Sequence, residues 1–501
     1  MGENIQFFRN YIDGEWTEAE SGKTQKIINP ATEDVIAEVP KCDVSDARKA
    51  IDAARNAFDN GRWPLMTPGE RSAVLLNLAS LVEAQMDELA RLESMNQGKT
   101  IKQARDGDFP FSVDNIRFYA GAARTLAGLP AMEYMSTGTS YVRREPVGVI
   151  AQITPWNYPW MMAIWKAGPA LATGNTVVIK PASVTPLTTI RLAELCEKAG
   201  FPKGVVNVIT GPGEIIGNEL TSNPKVDMVS ITGDTATGRK IMERSSSTLK
   251  KLHLELGGKA PFIVFDDADL EAAVKGAAAA GYVNGGQDCT QASRFYVQEG
   301  IYDSFVKKLV EESAKVRIGD PLSRSTDLGP LVSSAQREKV ESYVLYGREE
   351  GAKLEFGGKR PERFRKGFYF EPTVFSGVEQ DMKIAREEIF GPVLPVLRFS
   401  GVDEVIASSN DTIYGLHSSV WTTNVRTAMK LASRLRFGAV QINDHLPITS
   451  EMPHGGYKQS GFGKDMSVYS LEEYTQIKHV YFDMTGDRRK GWHYLTYGDP
   501  A

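Results

Sequence analysis

Val147-Gly148-Val149-Ile150-Ala151-Gln152-Ile153-Thr154 opens the series of segments that decides the fold. Further short apolar runs follow at 176–180, 205–209 and 228–231, each separated from the last by a stretch with helical spacing. None of them alternates cleanly between polar and apolar residues, the pattern expected of parallel strands buried on both faces. Right-handed crossovers then place the intervening helices on either side of the sheet. A nucleotide-binding α/β sheet is the structural expectation.

Upstream of this series, Ala47, Ile51, Ala54 and Phe58 recur at helical spacing. Thr67-Pro68-Gly69-Glu70 then supplies a capping box with proline in the first turn. The helix it starts is read as continuing through Leu75, Leu78, Val82, Leu89 and Leu92 to a stop at Gly98. Downstream, a second series begins after Gly257-Gly258, with strands at 261–265 and 295–297 around a helix at 268–280, and reads as a separate α/β domain. The segment 121–147 alternates weakly and is expected to pair with 474–482 as an arm outside both cores. Such an arm serves either subunit contact or the covering of its own domain. The expected division is a dinucleotide-binding domain (1–120 and 148–256), an oligomerisation arm and tail (121–147 and 474–501) and a catalytic domain (257–473).

A chain of 501 residues exceeds what one core usually organises. Its 42% hydrophobic and 24% charged residues are ordinary for globular proteins, and a net charge of −5 offers no broad cationic field for nucleic acid. No apolar run is long and uninterrupted enough for a membrane span, and no basic segment followed by an apolar one marks a secretory signal. Cys42, Cys196 and Cys289 are too scattered for a disulfide framework. A cytoplasmic setting is the expectation. The six histidines form no zinc spacing, so no metal is expected.

Several segments carry chemistry. Cys289 lies in Asn284-Gly285-Gly286-Gln287-Asp288-Cys289-Thr290, where small residues leave a sulfur approachable; a buried core thiol is the competing reading. Glu255 ends an apolar-alternating run and can activate water, although most glutamates are merely solvated or paired. Asn157, between Pro155 and Pro159, is either an oxyanion donor or a helix cap. Gly211-Pro212-Gly213-Glu214-Ile215-Ile216-Gly217 has one residue too many for the dinucleotide fingerprint. In Gly233-Asp234-Thr235-Ala236-Thr237-Gly238-Arg239-Lys240, arginine replaces the lysine of a phosphate loop, which excludes a Walker site. Both still sit where a strand passes into a helix, a position that receives pyrophosphate.

Taken in order, Thr154-Pro155-Trp156-Asn157-Tyr158-Pro159, Ile179-Lys180-Pro181-Ala182, Glu255-Leu256-Gly257-Gly258-Lys259, Gly286-Gln287-Asp288-Cys289 and Glu388-Ile389-Phe390-Gly391-Pro392 resemble the aldehyde dehydrogenase superfamily across nearly the whole chain. The resemblance implies an α/β fold with a Rossmann-type cofactor domain, a catalytic domain and a strand arm that joins subunits into a homodimer or homotetramer. It implies a catalytic set of Cys289 as nucleophile, Glu255 as general base and Asn157 as oxyanion donor. Around NAD it implies Trp156, Lys180, Ser183, Gly213, Gly217, Gly233, Asp234, Gly238, Leu256, Glu388 and Phe390, with Lys166 and Asp465 as further site residues.

Two departures bear on the cofactor. Ser183 stands where NAD-preferring relatives often place a glutamate, so NADP is expected to be usable. Asp234 replaces an uncharged residue and is expected to cap a helix. For the substrate, the segments 156–162 and 450–456 look most like aminoaldehyde dehydrogenases of the 4-aminobutanal type, with Asp288, Trp160 and Trp165 expected to meet the ammonium. Betaine aldehyde and uncharged aldehydes are the alternatives, and a Cys/Glu/Lys hydrolase is a remoter one.

Overall fold

The computed structural model describes residues 5–499. The runs at 147–154, 176–180, 205–209 and 228–231 form strands Val149–Ile153, Thr176–Lys180, Val206–Val208 and Met228–Thr232, and Lys251–Glu255 completes a parallel set of five. Numbered along the chain, these lie in the order 5-4-1-2-3. The order reverses between Val149–Ile153 and Met228–Thr232, and the crevice beyond the carboxyl ends of those two strands is where open α/β sheets bind ligands. Asn10–Ile12 and Glu15–Thr17 extend the sheet at one edge. At the other edge Gly461–Phe462 pairs antiparallel with Lys251–Glu255. The chain thus returns to the first sheet well before residue 473, the expected end of the catalytic domain. Leu471 and Tyr474 are buried in the same core as Ile150 and Val177.

Helix Val44–Asp59 covers one side of this sheet. Helix Pro68–Ala84 starts at the expected capping box, in which Thr67 and Glu70 satisfy each other's backbone amides. The single helix expected to reach Gly98 is instead two, broken at Gln85, before Gly98 ends the second in the left-handed region (φ 95°).

The second domain is a seven-stranded sheet of strands Lys353–Phe356, Thr373–Ser376, Val393–Phe399, Ala292–Gln298, Ala260–Val264, His417–Trp421 and Ala439–Ile442, in that order. Only Lys353–Phe356 runs antiparallel to its neighbour. The segments expected to pair do so: Gly138–Pro146 pairs with Thr475–Asp483 over nine residues, and Met132–Met135 lies on its other side. Among the described residues no helix is long and apolar enough to cross a membrane.

Candidate active site

Backbone geometry places Cys289 between the two sheets. Asn284, Gly285 and Gly286 follow one another in the left-handed region (φ 50°, 69° and 71°), turning the chain sharply after helix Leu270–Tyr282. A Cβ at Gly286 would lie 2.2 Å from the Gly391 carbonyl oxygen, and one at Gly258 only 2.1 Å from that of Cys289. Neither position admits a side chain. Glycine there lets the Cys289 loop close onto the segment that carries Glu255.

The Cys289 thiol is half-buried. Burial, the nearby Glu255 and Asp288 carboxylates and Glu388 all push its pKa up. Glu255, the last residue of its strand, is 1% exposed, and neither carboxylate oxygen has a hydrogen-bond partner among the described residues. His454 Nε2 stands 3.6 Å from Glu255 Oε1. The Asn157 amide donates to the Gln287 carbonyl at 3.1 Å, while Asn284 donates to the Asn157 carbonyl at 2.9 Å. This mutual latch fixes Asn157 beside the Cys289 loop and leaves its second N–H available.

A cavity of about 350 Å³ opens onto Cys289. Asn157, Tyr158, Trp165, Asp288 and His454 are in its wall, with Phe111, Met161 and Met162 supplying apolar surface and Asp108 a further carboxylate. Trp160, expected at the substrate, does not line it. Its ring is wholly buried and stacks on Phe109, centroids 5.0 Å apart, because helix Pro159–Ala172 turns that face into the core. Trp165 does line the cavity, tied by its indole N–H to Asn115 at 2.8 Å and meeting the His454 ring edge-on.

The cofactor candidates gather at the carboxyl ends of the first sheet's strands. Helices Gly213–Ser222 and Thr235–Ser245 begin there. A Cβ at Gly213 would meet nothing within 4 Å, and one at Gly217 only the Ile153 side chain, at 4.0 Å. That open space beside helix amino termini suits a pyrophosphate. Gly238 serves differently: its missing side chain lets the helix pack on Leu256, which a Cβ would approach to 2.5 Å. Gly233 accepts a turn without crowding its neighbours, the nearest atom to a Cβ being 3.4 Å away. Asp234 caps its helix, accepting from the Thr237 amide at 2.9 Å and hydroxyl at 2.7 Å. Burial raises its pKa, but those hydrogen bonds outweigh it and hold the carboxyl below its usual range.

Lys180 is buried, donates to the Pro181 carbonyl at 2.9 Å, and is brought down to about 8 by desolvation. The Ser183 hydroxyl donates to the Gly211 carbonyl at 2.9 Å. Glu388 accepts from the Gly258 amide at 2.7 Å and is raised to about 7, chiefly by burial. Trp156 and Phe390 meet edge-to-face at 5.1 Å, Phe390 itself in the left-handed region (φ 60°). Lys166 and Asp465 form a fully buried ion pair at 3.5 Å, and Asp465 also meets His253 Nε2 at 3.2 Å.

Sequence reasoning missed Tyr158, Asp108 and three histidines. His445 holds the Thr290 carbonyl at 2.8 Å from beyond Cys289, and His417 Nε2 lies 2.5 Å from the His445 carbonyl. Their wide separation along the chain gave no local signal.

A dinucleotide-type sheet presenting a buried carboxylate, closed against a second α/β sheet presenting a thiol, defines a two-domain enzyme built for covalent catalysis at the interface. The chain belongs to the aldehyde dehydrogenase family, whose model matches residues 16–480. It is 48% identical to the betaine aldehyde dehydrogenase of Bacillus subtilis (strain 168), over 94% of this chain and 96% of that protein. Among solved structures, an NAD-dependent aldehyde dehydrogenase from Sinorhizobium meliloti superposes with a TM-score of 0.94 at 45% identity, covering 97% of this chain and 96% of the other. Betaine aldehyde dehydrogenase from Staphylococcus aureus in complex with NAD+ gives the same score at 41% identity, with coverage of 97% and 96%.

Proposed function

We propose that this enzyme uses NAD+ to oxidise an aldehyde bearing a positive charge, an aminoaldehyde such as 4-aminobutanal, to its carboxylic acid. The carrying observation is the cavity that runs from Cys289 past the Asp288 carboxylate and the Trp165 ring. An ammonium gains from both an anion and an aromatic face. Betaine aldehyde is the second reading, favoured by the 48% identity to a betaine aldehyde dehydrogenase.

The space around Gly213 and Gly217, the buried Lys180 and the Glu388 carboxylate fit a dinucleotide. The helix amino termini would take its pyrophosphate, Lys180 and Ser183 its adenosine ribose, and Glu388 its nicotinamide ribose. With serine in place of an anion at 183, that side chain carries no charge to repel a 2′-phosphate. When bound, the oxidised nicotinamide supplies the hydride acceptor that converts a thiohemiacetal into a thioester.

The rest falls to side chains. The Cys289 thiol is held protonated by its surroundings, so it must lose its proton as it attacks. Glu255, without any competing hydrogen bond, is placed to receive that proton. As sulfur bonds to the aldehyde carbon, negative charge develops on oxygen, where the free Asn157 N–H and the Cys289 amide can stabilise it. In the second half, Glu255, having passed the thiol proton to solvent, takes a proton from a water molecule as the water oxygen attacks the thioester carbon. The carbon–sulfur bond then breaks, releasing the acid and the Cys289 sulfur.

Three free cysteines accord with a reducing cytoplasm. Exposed Met132, Tyr134, Met135 and Phe482 on the arm support its use in a homodimer or homotetramer. Nicotinamide reduction measured with 4-aminobutanal, betaine aldehyde, butanal and benzaldehyde, each with NAD and NADP, tests the reading. Preference for an uncharged aldehyde would overturn the substrate assignment.

A further inference from the structure

His454 brings a third ligand-type atom to the pair already assigned to catalysis. Its imidazole, the Glu255 carboxylate and the Cys289 sulfur offer donor atoms that all lie within 4.8 Å of one another. Glu255 and His454 are 1% and 8% exposed. Both Glu255 oxygens are unpartnered among the described residues, although a buried carboxylate without hydrogen bonds costs free energy. At 3.6 Å, His454 Nε2 faces Glu255 Oε1 without bonding to it. The three therefore converge on a point that none of them fills.

Electrostatics favour a cation at that point. Glu255 and the neighbouring Asp288 set two carboxyl groups around the Cys289 sulfur, and a divalent ion answers that concentration of acidic groups. Thiolate, imidazole and carboxylate together are a donor set suited to zinc. With bonds of about 2.0–2.3 Å, tetrahedral zinc ligands lie roughly 3.3–3.6 Å apart. The His454–Glu255 separation, 3.6 Å, already meets this, and the sulfur lies within 4.8 Å of both.

The scaffold is rigid where it needs to be. The His454 and Asp465 backbones exchange hydrogen bonds at 2.9 and 2.8 Å, with Asp465 anchored by Lys166 and His253. The Trp165 edge contact at 5.1 Å fixes the plane of the His454 ring. Glu255 is held by strand pairing to Thr232 and Gly461.

The geometry points to a Zn²⁺ site formed by Glu255, Cys289 and His454, with its fourth position open to the aldehyde cavity, that reversibly locks the enzyme. Binding breaks the S–H bond and forms an S–Zn bond; the proton leaves to solvent and no electrons change hands. The bound ion occupies nucleophile and base together, so turnover stops until a chelator removes it. That consequence rests on the roles proposed above for Cys289 and Glu255, whereas the metal site itself does not.

Titration of the purified full-length enzyme with Co²⁺, a spectroscopic probe for zinc, tests the site without any aldehyde. The expected result is one Co²⁺ per chain with a thiolate-to-cobalt charge-transfer band and strong tetrahedral d–d absorption, both displaced by Zn²⁺. Zn²⁺ should also protect Cys289 from iodoacetamide, with EDTA restoring its reactivity. Cys289→Ser should abolish the charge-transfer band. His454→Phe and His454→Gln, both checked for folding by circular dichroism, should each weaken binding by about tenfold or more. A cobalt spectrum lacking the thiolate band, or Zn²⁺ affinity unchanged in both His454 variants, would overturn the proposal. If these spectra appear and aldehyde oxidation does not, the site stands and the proposed activity falls.

Discussion

The Tyr158 hydroxyl donates to Asp288 Oδ2 at 2.7 Å, while Asp288 Oδ1 takes both the amide and the hydroxyl of Thr290 at 2.6 Å. Three of the roughly four acceptor positions on that carboxylate are thereby filled. Asp288 braces the loop that carries Cys289 and still presents negative charge to the cavity. Tyr158 is itself steadied by the Lys99 ammonium, 3.9 Å from its ring centre.

This double role shapes the first prediction. Asp288→Asn keeps the shape and most of the bracing but removes the charge. The kcat/KM for 4-aminobutanal should fall about tenfold further than that for butanal, the loss of roughly 1.4 kcal/mol of attraction. Equal losses for both aldehydes would confine Asp288 to holding the loop. Tyr158→Phe separates the two roles, because it unties the carboxylate without neutralising it, and should reduce kcat for charged and uncharged aldehydes alike.

Glu388 leads to a prediction about pH. Burial raises its pKa to about 7, so its carboxylate is half protonated near neutrality. Only the ionised form offers both oxygens purely as strong acceptors for the ribose hydroxyls, one of them already taking the Gly258 amide. Cofactor binding should therefore strengthen as pH rises from 6 to 8, with KM for NAD falling severalfold. In Glu388→Gln that dependence should flatten while KM is raised throughout. A wild-type KM for NAD that is constant across this range would show that Glu388 ionisation does not govern binding.

Cofactor choice turns on Ser183. Its hydroxyl is tied to the Gly211 carbonyl and carries no charge. Ser183→Glu should repel a 2′-phosphate and raise the NAD over NADP ratio of kcat/KM by about tenfold or more. A parent enzyme that already prefers NAD beyond a thousandfold would remove Ser183 from this role. Asp234 should matter far less, since both its oxygens are engaged by Thr237. Asp234→Ser retains a capping hydroxyl, and cofactor affinity measured by fluorescence titration should change less than about threefold.

What the sequence made legible divides along physical lines. Buried parallel strands announce themselves because both faces exclude polar residues, and the runs around Ile150, Val178 and Ile231 were readable for that reason. The capping box at Thr67 was readable because its chemistry lies within one turn. The break at Gln85 was not, since apolar spacing persists across it and the interruption is one of backbone geometry. Trp160 and Trp165 look alike in sequence and are both buried, yet positions five apart on a helix face different ways, and only packing, Trp160 against Phe109, decides which one borders the cavity. His454 reaches Glu255 across almost two hundred residues of chain, a meeting fixed by the return of Gly461–Phe462 to the first sheet and by no local motif.

The buried charges behind His454 yield a stability prediction. Desolvation pulls His253 down, but Asp465 and Glu473, each facing one ring nitrogen, outweigh it together and raise its pKa to about 9, against some opposition from Lys166. Asp465 is held well below the usual carboxylate range, its burial overcome by Lys166 and His253. A histidine raised in the folded state contributes stability in full below its unfolded pKa, about 6.5, and loses it as pH climbs through 9. A depressed aspartate contributes above its unfolded pKa, about 3.9, and loses that only in acid. The pair therefore stabilises most fully between about pH 4 and 6.5. Wild-type Tm should decline by a few degrees between pH 6.5 and 9. His253→Gln, which cannot titrate, should start lower at pH 6.5 and lose much of that decline. A His253→Gln profile parallel to wild type from pH 6.5 to 9 would show that this imidazole is not charged in the folded enzyme.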